Sequence, residues 1–166
     1  MLEDNIMDLF EKFLADKNST WVKRALTDSS YKKEFEQRNH RPFDGETNKD
    51  LSTYGDAIIK ICYLDLMLDK EEKLTVEKSK VESNKFLVDK VARHYNLLKY
   101  IITDPNDKEM PRNYEYIERP KIKGQSRKQS PHKYIADAVE AVIGAIFKET
   151  NDLRGIIMLL DSWRNL

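Results

Sequence analysis

The stretch Lys133-Tyr134-Ile135-Ala136-Asp137-Ala138-Val139-Glu140-Ala141-Val142-Ile143-Gly144-Ala145-Ile146-Phe147 decides the fold. Drawn as a helix it is apolar nearly all round, which is the pattern of a central helix and not of one lying on a surface. Asp137 and Glu140 are three residues apart, so on that helix they share a face. A carboxylate placed among so many apolar neighbours is costly unless a partner or a metal compensates it. A solvent-facing acidic stripe is the competing reading, and the apolar neighbours oppose it. A second stretch, Tyr54-Gly55-Asp56-Ala57-Ile58-Ile59, repeats the theme with one acid. Gly55 lies inside a helical pattern, where Gly costs roughly 1 kcal/mol against Ala. It therefore predicts close approach of another helix. Acids converging from two helices suit a hard, oxygen-seeking cation such as Mg²⁺, which can drive phosphodiester chemistry without a Cys or His nucleophile.

Outward from these stretches the chain reads as helices. Ile6, Leu9, Phe10, Phe13 and Leu14 form a stripe over residues 4–15, and Trp21, Val22, Ala25 and Leu26 a short second helix. Residues 32–48 are polar and carry Arg41-Pro42-Phe43-Asp44-Gly45, which predicts a turn-rich connection. A long helix follows from Asn48 to about Asp69 through Leu51, Tyr54, Ile58, Ile61, Leu64 and Leu68. Another is expected from about Thr75 to Tyr95, with Val81, Phe86, Val88 and Val91 inward and the apolar run 97–102 packed on the core. Residues 103–131 hold four of the five prolines and predict a long surface excursion. Ser130-Pro131 reads as the start of the acidic helix, with Ser as N-cap and Pro at the first helical position. Asn151 or Asp152 is expected to cap a last helix through Ile156, Ile157, Leu159, Leu160 and Trp163.

The whole is expected to be a single all-α domain over residues 1–166. Its 166 residues suffice for one core, and only five Gly and five Pro leave little room for the many tight turns of an all-β design. Formal net charge is zero, so a polyanion would have to be held by a local patch. The single cysteine, Cys62, excludes an internal disulfide and a multi-cysteine zinc site, and its apolar surroundings predict a buried thiol. His40, His94 and His132 show no metal-ligand spacing. No apolar run reaches the roughly 20 residues of a membrane span, and the N-terminus lacks the features of a secretion signal. A cytoplasmic protein without a membrane partner is the expectation.

Four segments in register resemble the ribonuclease III family: Arg24-Ala25-Leu26-Thr27-Asp28-Ser29-Ser30-Tyr31, Leu51-Ser52-Thr53-Tyr54-Gly55-Asp56-Ala57, Val81-Glu82-Ser83-Asn84-Lys85-Phe86-Leu87, and Ala136 to Phe147. The resemblance implies the helical endonuclease-domain fold of that family and a Mg²⁺-dependent endoribonuclease, with Mn²⁺ as a substitute ion. Double-stranded or structured RNA would be cut to 5′-phosphate and 3′-hydroxyl ends. Asp56 and Glu140 would be metal ligands, Asp137 would support them, and Lys133 would stabilise charge on the phosphate. A simple i, i+4 ion pair with Asp137 is the other reading of Lys133. The helix bearing Ser52 and Asp56 would join two subunits into a homodimer. Asn84 matches a recurrent family Asn, with either substrate contact or a buried structural amide as its role.

Two departures from the family pattern stand out. Ser52 occupies the place, one turn before Asp56, where most members carry a Glu; the compact Mini-ribonuclease III branch also lacks an acid there. Thr53 replaces a large apolar residue that many relatives insert into their dimer partner. The basic run Lys121, Lys123, Arg127, Lys128 precedes the acidic helix and is the candidate handle for RNA phosphates, with a plain solvated loop as the alternative. A standalone form of the family, without a double-stranded-RNA-binding domain, is the expectation. Two further readings stay open: a ribonuclease III fold kept as a non-cleaving RNA- or ribosome-binding protein, and a helical protein-interaction domain.

Overall fold

Helix Lys133–Thr150 is the axis around which the protein packs. In the computed structural model, which describes residues 7–68, 83–103 and 132–166, eleven consecutive or near-consecutive residues of this helix from Ile135 to Ile146 are buried. Seven helical segments, labelled here in chain order, account for most of the described residues. They are α1 (Leu9–Ala15), α2 (Thr20–Leu26), α3 (Ser29–Asn39), α4 (Lys49–Leu68), α5 (Asn84–Phe86, continuing as a π-helix over Leu87–Ala92), α6 (Lys133–Thr150) and α7 (Leu153–Trp163). A 3-10 turn at Leu97–Lys99 completes the set. The expectation of an all-α fold is met: among the described residues β structure is confined to one isolated bridge, between Thr27 and Ile102.

The longest packing seam runs between α4 and α6, with α2, α5 and α7 completing the surround of α6. Two glycines set how closely α4 and α6 cross. A Cβ on Gly55 would lie 1.7 Å from the Glu140 carbonyl oxygen, and one on Gly144 would lie 2.6 Å from the Leu51 carbonyl oxygen. The backbones touch there, as the placement of Gly55 predicted. Elsewhere the core is pinned by aromatic rings. Phe10 stacks on Tyr95 at 4.3 Å and meets Trp163 edge-on at 5.7 Å. The Trp163 indole donates to Tyr95 Oη at 2.9 Å, and that hydroxyl donates to Asp8 at 2.5 Å. Asp8 also caps α1 in a capping box with Glu11. The end of the 97–102 segment lies beside the end of α2: the Ile102 N–H donates to the Leu26 carbonyl at 2.7 Å, and the Asp28 N–H donates to the Ile102 carbonyl at 2.9 Å.

Four expectations need correction. Residues 32–48 are not simply a connection: α3 covers Ser29–Asn39. No residue of α3 is buried, and its one pair of large rings, Tyr31 and Phe35, meets Phe43 at 5.8 and 5.4 Å outside the core. Its support is the Asp28 N-cap and the i, i+4 ion pairs Lys32–Glu36 and Glu34–Arg38. On α4 the inward residues are Ile58, Ile59, Cys62, Tyr63 and Met67, whereas Ile61, Leu64 and Leu68 are exposed. A helix continuing through residue 83 is interrupted, because Ser83 is extended and caps Asn84–Phe86 with its side chain. The N-cap of α6 is His132, which makes no side-chain capping bond; Ser130 and Pro131 lie outside the described residues. So do the surface excursion from 104 onward, Val81, and the expected start of a helix at Thr75. At the other end of α6 Asn151 adopts the left-handed conformation, and Asp152 caps α7 as expected. No helix among the described residues is long and apolar enough to cross a membrane.

Candidate active site

One face of α4 and one face of α6 meet over an open pocket of about 360 Å³. Ser52, Thr53, Asp56 and Lys60 line it from α4, Lys133, Asp137 and Glu140 from α6, and Asn84 from the start of α5. The local sequence explains the convergence. Ser52, Asp56 and Lys60 recur every four residues, which places them on one side of α4. Lys133, Asp137 and Glu140, at spacings of four and three, share one side of α6. The Gly55–Gly144 crossing then brings the two faces together, because Gly55 adjoins Asp56 and packs on the backbone of Glu140 itself.

The three acids differ in surroundings. Glu140 is the most deeply held, at 9% exposure. Desolvation, followed by the charges of Asp137 and Asp56, pushes its pKa from 4.5 up to about 8, with Lys133 and Lys60 opposing. Asp137 is also raised, first by desolvation; the hydrogen bond and charge of Lys133 pull it back, and the charge of Asp28 pushes it up again. Asp56 sits nearer the mouth and accepts from the Lys60 ammonium at 2.5 Å. Lys133 makes the equivalent pair with Asp137. Ser52 is buried, and its hydroxyl donates to the Lys49 carbonyl at 3.0 Å.

Seven residues singled out in the sequence therefore stand together: Ser52, Thr53, Asp56, Asn84, Lys133, Asp137 and Glu140. The basic candidates Lys121, Lys123, Arg127 and Lys128 lie outside the described residues. Lys60 belongs to the pocket and escaped the sequence reading. The same i, i+4 rule that linked Lys133 to Asp137 would have linked it to Asp56. Asp28, buried at the N-cap of α3, is a further acid whose charge reaches Asp137.

The donor set fits a divalent oxygen-seeking cation. The pocket offers three carboxylates, two hydroxyls and an amide, with no thiol or imidazole among its lining. Burial first, and then the charges of Asp137 and Asp56, raise Glu140, and a cation beside it would offset both. Yet among the described residues no three acid, Cys or His side chains stand in a ready ligand cluster. Instead, lysines occupy two of the three carboxylates.

This is an all-α protein with a carboxylate-lined pocket at the crossing of the two longest helices among the described residues. The Ribonuclease III domain family matches residues 49–151, from the start of α4 to the end of α6, and the chain belongs to that family. Its members are typically endoribonucleases acting on double-stranded RNA, generally with Mg²⁺. The fold agrees. The nuclease domain of ribonuclease III from Campylobacter jejuni, in a structure concerned with flexibility in the region involved in dimer formation, superimposes with a TM-score of 0.55 at 21% identity. The match covers 96% of this chain and 93% of that one. No curated protein sequence matches the chain.

Proposed function

We propose that this chain is a Mg²⁺-dependent endoribonuclease that cuts double-stranded RNA, leaving 5′-phosphate and 3′-hydroxyl ends. It would form a single domain over residues 1–166 and work in cytoplasmic RNA processing. The observation that carries this reading is the pocket itself: Asp56, Asp137 and Glu140, brought from two helices to one lining, with Lys133 and Asn84 beside them. Asp56, Asp137 and Glu140 would hold Mg²⁺, with Mn²⁺ able to replace it. Such an ion, when bound, activates water for in-line attack on phosphorus.

The residues of the chain do the rest. Glu140, whose carboxyl is pushed up to about 8 by burial and the neighbouring acids, would hold the ion in its ionised form, so that metal binding there would be linked to proton release. Lys133 keeps a positive charge beside the reacting phosphate while orienting Asp137. The Asn84 amide, which lines the pocket from the start of α5, can donate to a phosphate or 2′-hydroxyl. Lys121, Lys123, Arg127 and Lys128 are proposed to draw the duplex backbone toward this acidic centre.

A homodimer through α4 belongs to the same proposal. Thr53, Ala57, Ile61, Leu64 and Leu68 are exposed and follow one another at spacings of three and four along α4. Such a stripe suits the face of a matching helix. Duplex RNA presents two strands, so two pockets related by a two-fold axis would each meet one.

A non-cleaving RNA-binding protein is the second reading. The neutral Ser52 and the lysine-occupied carboxylates favour it. Incubation of the wild type and Glu140→Gln with a long RNA duplex, with Mg²⁺ or with chelator, separates the two. The enzyme reading expects cutting only by wild type with Mg²⁺. Duplex binding without cutting at any Mg²⁺ concentration would select the binding protein.

A further inference from the structure

The exposed stripe on α4 changes size along its length. Thr53 and Ala57 are small, whereas Ile61 is 59% exposed, Leu64 36% and Leu68 71%. The change is ordered. Thr53 and Leu68 lie equally far on either side of the midpoint between Lys60 and Ile61, and so do Ala57 and Leu64; Ile61 adjoins the midpoint itself. A two-fold axis through that midpoint, perpendicular to the helix, would lay two copies of α4 antiparallel. Leu68 would then meet Thr53 of the partner subunit, Leu64 would meet Ala57 of the partner subunit, and Ile61 would meet its own copy. Large faces small at the outer levels, which lets two surfaces interdigitate without voids. A parallel pair would set Leu68 on Leu68 of the partner subunit and Thr53 on Thr53 of the partner subunit. One end would be crowded and the other left gapped.

The two ends of the stripe suit these roles. The Thr53 hydroxyl donates to the Lys49 carbonyl of its own helix at 3.4 Å, so it brings no unpaired donor to an apolar contact. Thr53 also lines the pocket, so a leucine seated on it would stand at the pocket rim. Leu68 is the most exposed large apolar side chain among the described residues, and it continues a stripe instead of standing alone.

We propose that this chain pairs with a second copy of itself through antiparallel α4 helices with the knob of the contact reversed. Leu68 is the knob, and it seats on Thr53 of the partner subunit beside that subunit's pocket. The proposal rests on the homodimer put forward above. It adds the orientation, the register and the residue that each subunit brings to the rim of the other's pocket. It also fixes which helices can pair. The large residue that many family members carry at the place of Thr53 is excluded here, because Leu68 of the partner subunit already fills that space.

The test is the dimer dissociation constant by analytical ultracentrifugation of the whole chain, with circular dichroism melts to confirm that each variant is folded. Thr53 is exposed in the subunit, so Thr53→Phe is accommodated there. Although it restores a large residue at this place, it should weaken the dimer about tenfold or more, because it overpacks a filled contact. Adding Leu68→Ala should bring the constant back to within about threefold of wild type. Disulfide formation checks the register independently, in a Cys62→Ala background. Ile61→Cys alone should cross-link two chains on oxidation, as should Thr53→Cys combined with Leu68→Cys, whereas Thr53→Cys or Leu68→Cys alone should not. Unchanged or tighter association of Thr53→Phe, or cross-linking by Leu68→Cys alone, would overturn the reversed antiparallel contact while leaving a dimer in place. A dimer that none of these cysteines cross-links would overturn it by moving the contact off α4. Wild type that stays monomeric at every concentration would overturn both the proposal and the homodimer reading beneath it.

Discussion

Glu140→Gln should make the metal-free protein more stable, and increasingly so as pH rises. Glu140 has a pKa of about 8 in the folded chain against 4.5 when solvated. A raised carboxyl favours the folded state only while protonated. Its contribution is complete below about pH 4.5, falls as the unfolded chain ionises, and is exhausted above about pH 8. At roughly 1.4 kcal/mol for each pKa unit, the separation between 4.5 and about 8 sets a ceiling near 5 kcal/mol on the loss. Gln keeps the shape and has no proton to lose. The measurement is urea unfolding of both proteins in chelator at several values between about pH 5 and pH 9. The stability gap should open by about 2 kcal/mol or more across that range in favour of Gln. Other acids titrate in both proteins, so the gap isolates Glu140. Adding Mg²⁺ at about pH 8 should stabilise wild type and leave Glu140→Gln nearly unmoved, because ligand binding to the folded state raises its stability. A gap that stays flat with pH would refute the argument that burial and neighbouring acids hold Glu140 protonated.

Three further outcomes follow from the packing. Gly55→Ala, whose Cβ would lie 1.7 Å from the Glu140 carbonyl, should cost about 3 kcal/mol or more in denaturant unfolding despite alanine's better helix propensity. A variant as stable as wild type would mean that α4 and α6 do not touch there. Cys62 is 2% exposed, and burial, with the charge of Asp65, pushes its thiol up to about 11. Thiol reagents at about pH 8 should label it slowly in the native protein and promptly in denaturant; fast native labelling would contradict its burial. On the exposed stripe of α4, the double change Ile61→Glu with Leu64→Glu should halve the mass found by sedimentation while preserving the melting curve of the subunit. Retention of a dimer would place the subunit contact elsewhere.

Much of the fold was legible because α6 states its own burial: apolar residues on every side leave it no surface to show. The glycine in α4 likewise announced a helix crossing, and the crossing is what carries Asp56 to Glu140. The reading failed where apolar content and burial part company. Ile61, Leu64 and Leu68 are as apolar as any core residue, but a monomer's core takes only one face of α4, and Ile59, Tyr63 and Met67 fill it. An exposed apolar stripe and a core face look alike in sequence. α3 failed in the opposite sense, since a helix held by a cap, ion pairs and one pair of rings outside the core leaves little hydrophobic period. At the site, the acids were visible as charges in apolar runs. Lys60 was not, because a lysine on a long helix is ordinarily solvated and only its partner on the same face gives it meaning.

Cleavage of a long RNA duplex while Mg²⁺ is titrated, with the product ends identified, tests the central claim most directly. The account predicts 5′-phosphate and 3′-hydroxyl ends, a rate that rises with Mg²⁺, and no cutting in chelator. Cutting that persists in chelator, or a duplex left whole at every Mg²⁺ concentration, would contradict it.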